Sequence, residues 1–313
     1  MKILVTGANS QLALTIKDHI EYYKESLDDE YVFCKHNELD ITDINSIYFA
    51  LDFYNPDIIV NCAAYTNVEK AETEFKKTIE VNCFGVENLV KACEDKKIFL
   101  IHISTDYVYK SIYDCAVPSK GGYGLREESP LDPISKYALS KYLGEKMCIG
   151  HNGIIIIRTS WLYSIYGKNF VKTIVNKIKN NEDISVVDDQ FGRPTNCDDL
   201  ADFIVFAIIA RRKFELEMPC DIYNFQNSGD TISWFNFACA IYNFYTNKYA
   251  MPYSYHEAEG MVKRISTNEL NSLAVRPTCT TMDITKAFSI GMMNINQWEI
   301  SLRDFITRNR CII

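Results

Sequence analysis

The sequence predicts an α/β fold, a doubly wound parallel sheet joined to a smaller C-terminal α/β region. Short apolar runs rich in β-branched residues alternate with longer stretches of helical period through the first half of the chain. Several of these runs, Ile154-Ile155-Ile156-Ile157 above all, are apolar at every position, as a strand covered on both faces requires. The chain also opens on a strand, Met1-Lys2-Ile3-Leu4-Val5-Thr6, that ends at Gly7 directly before a helical pattern.

Lys2–Thr6 is the first strand, and Gln11–Tyr23 follows as a helix with Leu12, Ile16 and Ile20 on one face. Tyr31–Cys34 reads as the second strand. Ile44–Tyr54 reads as a helix stopped near Pro56, and Ile58–Asn61 as the third strand. Ala71–Asp95 is helical with an expected break near Gly85. Phe99–Ser104 is a strand, Ser135–Cys148 a helix ended by Gly150, and Ile154–Arg158 a strand. Beyond Trp161 the rhythm loosens. Asn169–Asn180, Cys197–Ala210, Ser233–Tyr245 and Trp298–Thr307 read as helices, Ile184–Val187 and Asp221–Phe225 as strands. The stretch Lys110–Glu128, with Pro118, Gly121, Gly122 and Gly124, is a long irregular loop of the kind that covers a site. The expected division is 1–165 for a cofactor domain, to which 194–226 returns, with 166–193 and 227–313 as a substrate domain.

Composition narrows the function. Of 313 residues 47% are hydrophobic and 24% charged, the balance of an ordinary globular enzyme. A net charge of −8 argues against nucleic acid or an anionic membrane as the main partner. Eleven cysteines are present, but the closest two, Cys83 and Cys93, lie ten residues apart. No metal-ligand or redox spacing exists, so no metal is expected. Cys62, Cys93 and Cys239 among apolar neighbours read as reduced thiols of a cytoplasmic protein. The apolar run Phe203 to Ala210 is too short to span a bilayer.

Gly7-Ala8-Asn9-Ser10-Gln11-Leu12-Ala13 occupies the strand-to-helix turn where a Rossmann-type fold seats a dinucleotide pyrophosphate. The motif is degraded. Ser10 and Ala13 stand where glycines are usual, and Ser10 adds bulk where backbone should approach phosphate. The second strand ends in Cys34-Lys35-His36-Asn37 rather than in a carboxylate. Lys35 either faces a 2′-phosphate, favouring NADPH over NADH, or is a solvated surface lysine. Asp40 and Ile41, at the start of the next unit, are expected near the adenine.

Tyr-x-x-x-Lys sets a phenol and an ammonium one helical turn apart, which can lower a tyrosine pKa from about 10. With 20 tyrosines chance supplies the spacing, and it occurs at Tyr31/Lys35, Tyr137/Lys141 and Tyr142/Lys146. Tyr31 falls in a strand. Tyr142 shares a helix with Tyr137 but points about 140° away, since five residues turn a helix by about 500°. Tyr137 follows Pro133 and Ser135 at the helix start, downstream of Ser104-Thr105-Asp106-Tyr107 at a strand's carboxyl end. A Thr105 hydroxyl there can bind a substrate carbonyl and assist proton donation.

With these residues the chain resembles the extended short-chain dehydrogenases/reductases, in their dTDP-4-dehydrorhamnose reductase branch. The resemblance runs through Leu39-Asp40-Ile41-Thr42-Asp43, Pro56 to Thr66, Ser104 to Tyr109, Tyr137 to Lys141, Arg158 to Tyr163, Asp189 to Thr195 and Arg276-Pro277. It implies hydride transfer from NADPH or NADH to the C4 ketone of dTDP-4-dehydro-β-L-rhamnose. Tyr137 would be the acid, Lys141 its tuner and a ribose ligand, and Thr105 the helper hydroxyl. Asp106 and Trp161 would contact the sugar, and a tryptophan at a strand's end suits stacking. Ser10, Gln11, Leu12, Asp40, Ile41, Ala63, Ala64 and Tyr65 would line the cofactor, with Gly7 in the turn. Arg193 or Arg276 either clamps the diphosphate, because a guanidinium fits it bidentately, or serves as a surface ion-pair partner. Thr15 and its neighbours lack the glutamate with which some family members bridge a dimer through magnesium, so no structural metal is expected and the chain is left as a monomer or homodimer.

Four other readings compete, the nearest being a reductase of another nucleotide-linked 4-keto-deoxysugar. A dehydratase needs a carboxylate pair after the threonine, and here Asp106 is followed by Tyr107. A 4-epimerase recycles a tightly held NAD, which suits the degraded glycine turn and Lys35 poorly. A silent binding module resembling the regulatory subunit of methionine adenosyltransferase keeps the tyrosine and lysine, and Arg158-Thr159-Ser160-Trp161 favours the reductase over it.

Overall fold

A computed structural model describes residues 1–22, 29–111, 124–211, 218–246, 258 and 260–313. Strands β1 (Lys2–Thr6), β2 (Glu30–Phe33), β3 (Ile58–Asn61), β4 (Phe99–Thr105), β5 (Ile154–Thr159) and β10 (Asp221–Phe225) form one all-parallel sheet in the order β10-β5-β4-β3-β1-β2. The order reverses between β1 and β3. At such a switch point the loops leaving the carboxyl ends diverge and open a crevice. Helices α1 (Gln11–Tyr22), α2 (Ile44–Tyr54), α5 (Gly85–Lys96), α6 (Lys136–Cys148) and α8 (Cys197–Arg211) accompany the sheet. One core joins Ile3, Val5, Val60 and Ile101 to Leu12, Ile16, Leu200 and Phe203, and a second joins Leu4, Ile59 and Leu100 to Ile47, Leu89 and Cys93.

Local signals explain the element ends. Asp43 caps α2 by accepting from the Asn45 amide, and Asn55 closes it in a left-handed conformation before Pro56. Ser135 caps α6 by accepting from the Ala138 amide. The expected break at Gly85 is absent. Helix α4 (Phe75–Ile79), a π turn (Glu80–Phe84) and α5 run on continuously, after the short helix α3 (Val68–Ala71). Gly85 serves packing instead: a Cβ there would lie 2.8 Å from the Ile41 side chain. The π turn presents Asn82, which bonds both backbone polar groups of Tyr65 and the Ser140 hydroxyl, so it ties the loop after β3 to α6.

The smaller region holds α7 (Phe170–Lys179), α9 (Trp234–Thr246) and α10 (Trp298–Asn309) around a separate core that includes Val171, Ile174, Phe235, Phe237, Trp298 and Phe305. Short strand pairs accompany it, and their two-residue members have too few residues to show periodicity in sequence. β6 (Leu162–Tyr163) pairs with β9 (Thr195–Asn196), β8 (Phe191–Gly192) with β11 (Ile232–Ser233), and β7 (Ile184–Val187) with β12 (Val262–Ile265). Of the Lys110–Glu128 loop, 112–123 lie outside the described residues. Its near end is fixed by the Lys110 amide on the Pro130 carbonyl, and its far end by Leu125 on Thr281. The thiol expectation holds for the buried Cys93 and half-buried Cys62, both unpaired, while Cys279 is disulfide-bonded. No helix among the described residues is long and apolar enough to cross a membrane.

Gly144 sets how closely α6 approaches the π turn, because a Cβ there would lie 2.1 Å from the Asn82 carbonyl oxygen. Gly144→Ala should therefore cost about 1–3 kcal/mol of stability in urea unfolding, despite alanine's better helix propensity. An unchanged or raised stability would show that α6 is not held at this contact.

Candidate active site

The carboxyl ends of β1, β3, β4 and β5 surround a cleft of about 510 Å3 that the smaller region closes from the other side. Ser10, Gln11 and Leu12 enter from the first turn, Cys62, Ala64 and Thr66 from the loop after β3, and Thr105, Asp106 and Tyr107 from the end of β4. Tyr137 and Lys141 come from α6, Ser160 and Trp161 from beyond β5, and Phe170, Trp234 and Arg276 from the smaller region. Tyr142 faces elsewhere: it packs against the Val108, Tyr109, Leu125 and Met282 cluster with Lys146 over its ring.

In the first turn, Gly7 has φ +62, and a Cβ on it would lie 2.8 Å from the Ala63 nitrogen. Only glycine allows both the left-handed backbone and that approach of two loops. Ser10 has a use that a glycine lacks, since its hydroxyl accepts from the Ala13 amide and caps α1. Lys35 is exposed two residues past β2, its amide bonded to Glu38. Asp40 is half-buried with its carboxylate bonded to Thr42, Ile41 is buried under Gly85, and Tyr65 donates its hydroxyl to Glu74. Lys35, Asp40, Ile41, Ala63 and Tyr65 lie outside the lining of the cleft.

Tyr137, Thr105 and Lys141 converge. Tyr137 is hydrogen-bonded to Thr105, and its ring meets Tyr107 edge-on at 6.0 Å. Burial pushes its pKa up to about 12 against the opposing Thr105 bond. The lowering expected from the lysine is not present, because Lys141 turns its amine to the Ile103 carbonyl at 2.7 Å and to His102. Tyr137 is thus held as a neutral phenol, the form that can give a proton. Burial also brings Lys141 down to about 8, opposed chiefly by the charge of Glu145.

Asp106 is buried, with one carboxyl oxygen facing Thr105 at 3.2 Å and the other accepting from Thr280. Burial raises it to about 7, against those two hydroxyls and nearby amides. Trp161 adopts φ +46, an uncommon conformation for a bulky residue, and stacks on Trp234 with centroids 3.6 Å apart and planes 13° apart. Its indole also rests against Gly192, where a Cβ would come within 2.9 Å. One face expected to be free for sugar is therefore already covered by Trp234.

The two arginines differ. Arg193 does not line the cleft; it is buried, donating to the carbonyls of Asn227 and Met282. Arg276 lines the cleft, bonded to Glu69 at 2.6 Å and to Ser272. Sequence reasoning passed over Asn61, Ser160 and Thr159, whose place at strand ends was a usable signal. It also passed over Trp234 and Phe170, whose approach depends on the packing of α7 and α9. Among the described residues no group of three His, Cys, Asp or Glu could hold a metal.

Comparison with known proteins places the chain. The family described as the RmlD substrate binding domain matches residues 1–311. A dTDP-4-dehydrorhamnose reductase of Aggregatibacter actinomycetemcomitans is 32% identical over 309 residues, covering 97% of each chain. The spore coat polysaccharide biosynthesis protein SpsK of Bacillus subtilis is 31% identical over 311 residues, covering 97% of this chain and 96% of its own. The crystal structure of dTDP-4-dehydrorhamnose reductase from Bacillus anthracis, in complex with NADP, superposes with a TM-score of 0.82. It is 32% identical and covers 98% of this chain and 99% of that one.

Asp106 gives the site a pH signature. Its folded pKa lies above the unfolded value of 3.8, so the wild-type fold loses stability as pH rises toward 7. Asp106→Asn, which does not ionise, should gain on the wild type by on the order of 2 kcal/mol between pH about 5 and about 8. Denaturant unfolding at the two pH values measures this. An equal difference at both would mean that Asp106 is ionised in the folded state throughout.

Proposed function

From the premise that the chain belongs to the RmlD substrate binding domain family, we propose that it reduces the C4 ketone of dTDP-4-dehydro-β-L-rhamnose to dTDP-L-rhamnose with NADPH or NADH. The observation that carries this reading is the convergence of Tyr137, Thr105 and Lys141 with the first βα turn in one cleft. The residues present fit a dinucleotide. Gly7 lets the loops after β1 and β3 approach, and the buried Gln11 Oε1 and Thr159 Oγ1 line the cleft without a hydrogen-bond partner among the described residues. Ser10, Gln11 and Leu12 would hold the diphosphate at the start of α1, with Lys35, Asp40, Ile41, Ala63, Ala64 and Tyr65 beside the adenosine half. A bound nicotinamide would supply the hydride.

The protein's own part is proton delivery and orientation. Tyr137, kept protonated by burial, gives its proton to the carbonyl oxygen as negative charge develops there. Thr105 bonds the same oxygen and fixes the phenol. Lys141 holds the cofactor ribose and replenishes the phenol's proton. Arg276 takes the substrate diphosphate by exchanging its Glu69 partner, and Asp106 with the Trp161–Trp234 stack shapes the sugar's place. The division into 1–165 with 194–226, against 166–193 with 227–313, is supported by β10 on the main sheet and by the separate core around Trp298. A cytoplasmic nucleotide-sugar enzyme, monomeric or homodimeric, fits these features.

Following NADPH oxidation with dTDP-4-dehydrorhamnose tests the reading. The wild type should turn over, and Tyr137→Phe should lose about 10²–10⁴-fold in rate while still binding NADPH. Substantial activity in that variant would point to a different proton donor, and an inactive wild type to a binding role.

A further inference from the structure

Behind Lys141 lies a chain of buried polar groups that proton delivery, as described, does not use. Asn61 Oδ1 accepts from the Thr6 hydroxyl at 2.7 Å and from the Ala63 amide at 3.2 Å. Two donors on one oxygen fix the orientation of the amide, so Asn61 Nδ2 faces His102 Nδ1 at 3.1 Å. Thr6, Asn61 and His102 are each no more than 1% exposed, so these side-chain partners set the arrangement. An amide nitrogen only donates. His102 Nδ1 must therefore be the bare, accepting nitrogen.

Burial first, and the Lys141 charge second, hold His102 well below its ordinary pKa. The ring is neutral, and its one proton sits on Nε2. That nitrogen lies 3.4 Å from Lys141 Nζ.

We propose that His102 is a positioning residue for Lys141, locked by Thr6 and Asn61 as the tautomer that turns an N–H, not a lone pair, toward the lysine nitrogen. The proposal rests on the reading of Lys141 as the group that replenishes Tyr137. An ammonium at this place has one clear acceptor here, the Ile103 carbonyl, while a neutral amine gains a donor in His102. The arrangement therefore favours release of a proton. After Tyr137 has given its proton to the substrate oxygen, the phenolate takes one from Lys141. The lone pair left on Nζ accepts the His102 Nε2–H, and solvent later restores the ammonium.

The remaining charges around Lys141 do not supply this preference. On α6, Glu145 opposes it, and Tyr137 and the buried Cys148 thiol are neutral. Cys62, beyond β3, is a neutral thiol as well. Arg158, from β5, is turned to Glu145 at 2.6 Å.

Nitrogen NMR of the histidine rings tests the tautomer in the intact protein, with His102 assigned by the signal lost in His102→Phe. The expected result is a protonated Nε2 and a bare Nδ1, unchanged over the range in which exposed histidines titrate. A bare Nε2, or a His102 that titrates with the others, overturns the proposal. The second measurement is the alkaline limb of kcat/KM against pH in Asn61→Asp. The new carboxylate would take an Nδ1–H, leave Nε2 bare, and let it accept from the ammonium, moving the limb up by about one pH unit. The added charge raises the limb by itself, so the same substitution in the His102→Phe background must give a smaller shift. Equal shifts in the two backgrounds overturn the proposal. A wild type that reduces no ketone would instead defeat the functional reading, and the ring-nitrogen result would still decide the tautomer.

Discussion

Helix α6 must sit at one height on the sheet for the site to exist, and the buried ion pair between Glu145 and Arg158 sets that height. Arg158 on β5 donates through two nitrogens to the two carboxylate oxygens of Glu145, at 2.9 and 2.6 Å, with both side chains almost completely shielded from water. Ser104 adds a bond at 2.5 Å to the same carboxylate, and the Glu127 carbonyl accepts a further guanidinium N–H. Every charge in the cluster is satisfied. A buried pair so arranged contributes little net stability, yet losing one partner typically costs about 3–5 kcal/mol, because the other is left uncompensated. Its value here is registry. Glu145 is one turn from Lys141 and two from Tyr137, so fixing it fixes both.

From that anchor the rest of the site follows as a sequence of close approaches. Gly144 lets α6 meet the π turn, Asn82 joins the π turn to the loop after β3, and Gly7 brings that loop against the first βα turn. Tyr137 and Lys141 are thereby held in a buried pocket where solvation is replaced by a few fixed partners. Burial is the largest cause that makes the phenol a reluctant acid and the lysine a reluctant base. The opposite wall of the cleft is built differently, from aromatic side chains of α7 and α9 and from Arg276, which is paired with the half-exposed Glu69.

Much of this was legible in the residues. The parallel sheet announced itself in runs such as Ile154–Ile157, and Ile44–Tyr54, Ile58–Asn61, Ile184–Val187 and Asp221–Phe225 were bounded in sequence as they are in space. Capping chemistry and Pro56 made those ends visible. What escaped depended on contacts between distant segments. Gly85 looked like a helix breaker because its reason, Ile41, is more than forty residues away. Arg193 looked like a diphosphate ligand because sequence does not show that two carbonyls already surround it. Trp161 suited stacking on a sugar or packing in a core, and sequence did not show its neighbour Trp234, seventy-three residues later on α9. The pairing of Tyr137 with Lys141 was correctly placed on one helix, but spacing says nothing of where an amine turns.

The most direct test of the account follows the hydride. With NADPH deuterated at the transferring position of the nicotinamide and dTDP-4-dehydrorhamnose as acceptor, the product can be examined by NMR for the position of the label. The account predicts one deuterium at C4 of the sugar, delivered in step with NADPH consumption. Cofactor consumed without label at C4, or label elsewhere in the sugar, would contradict it.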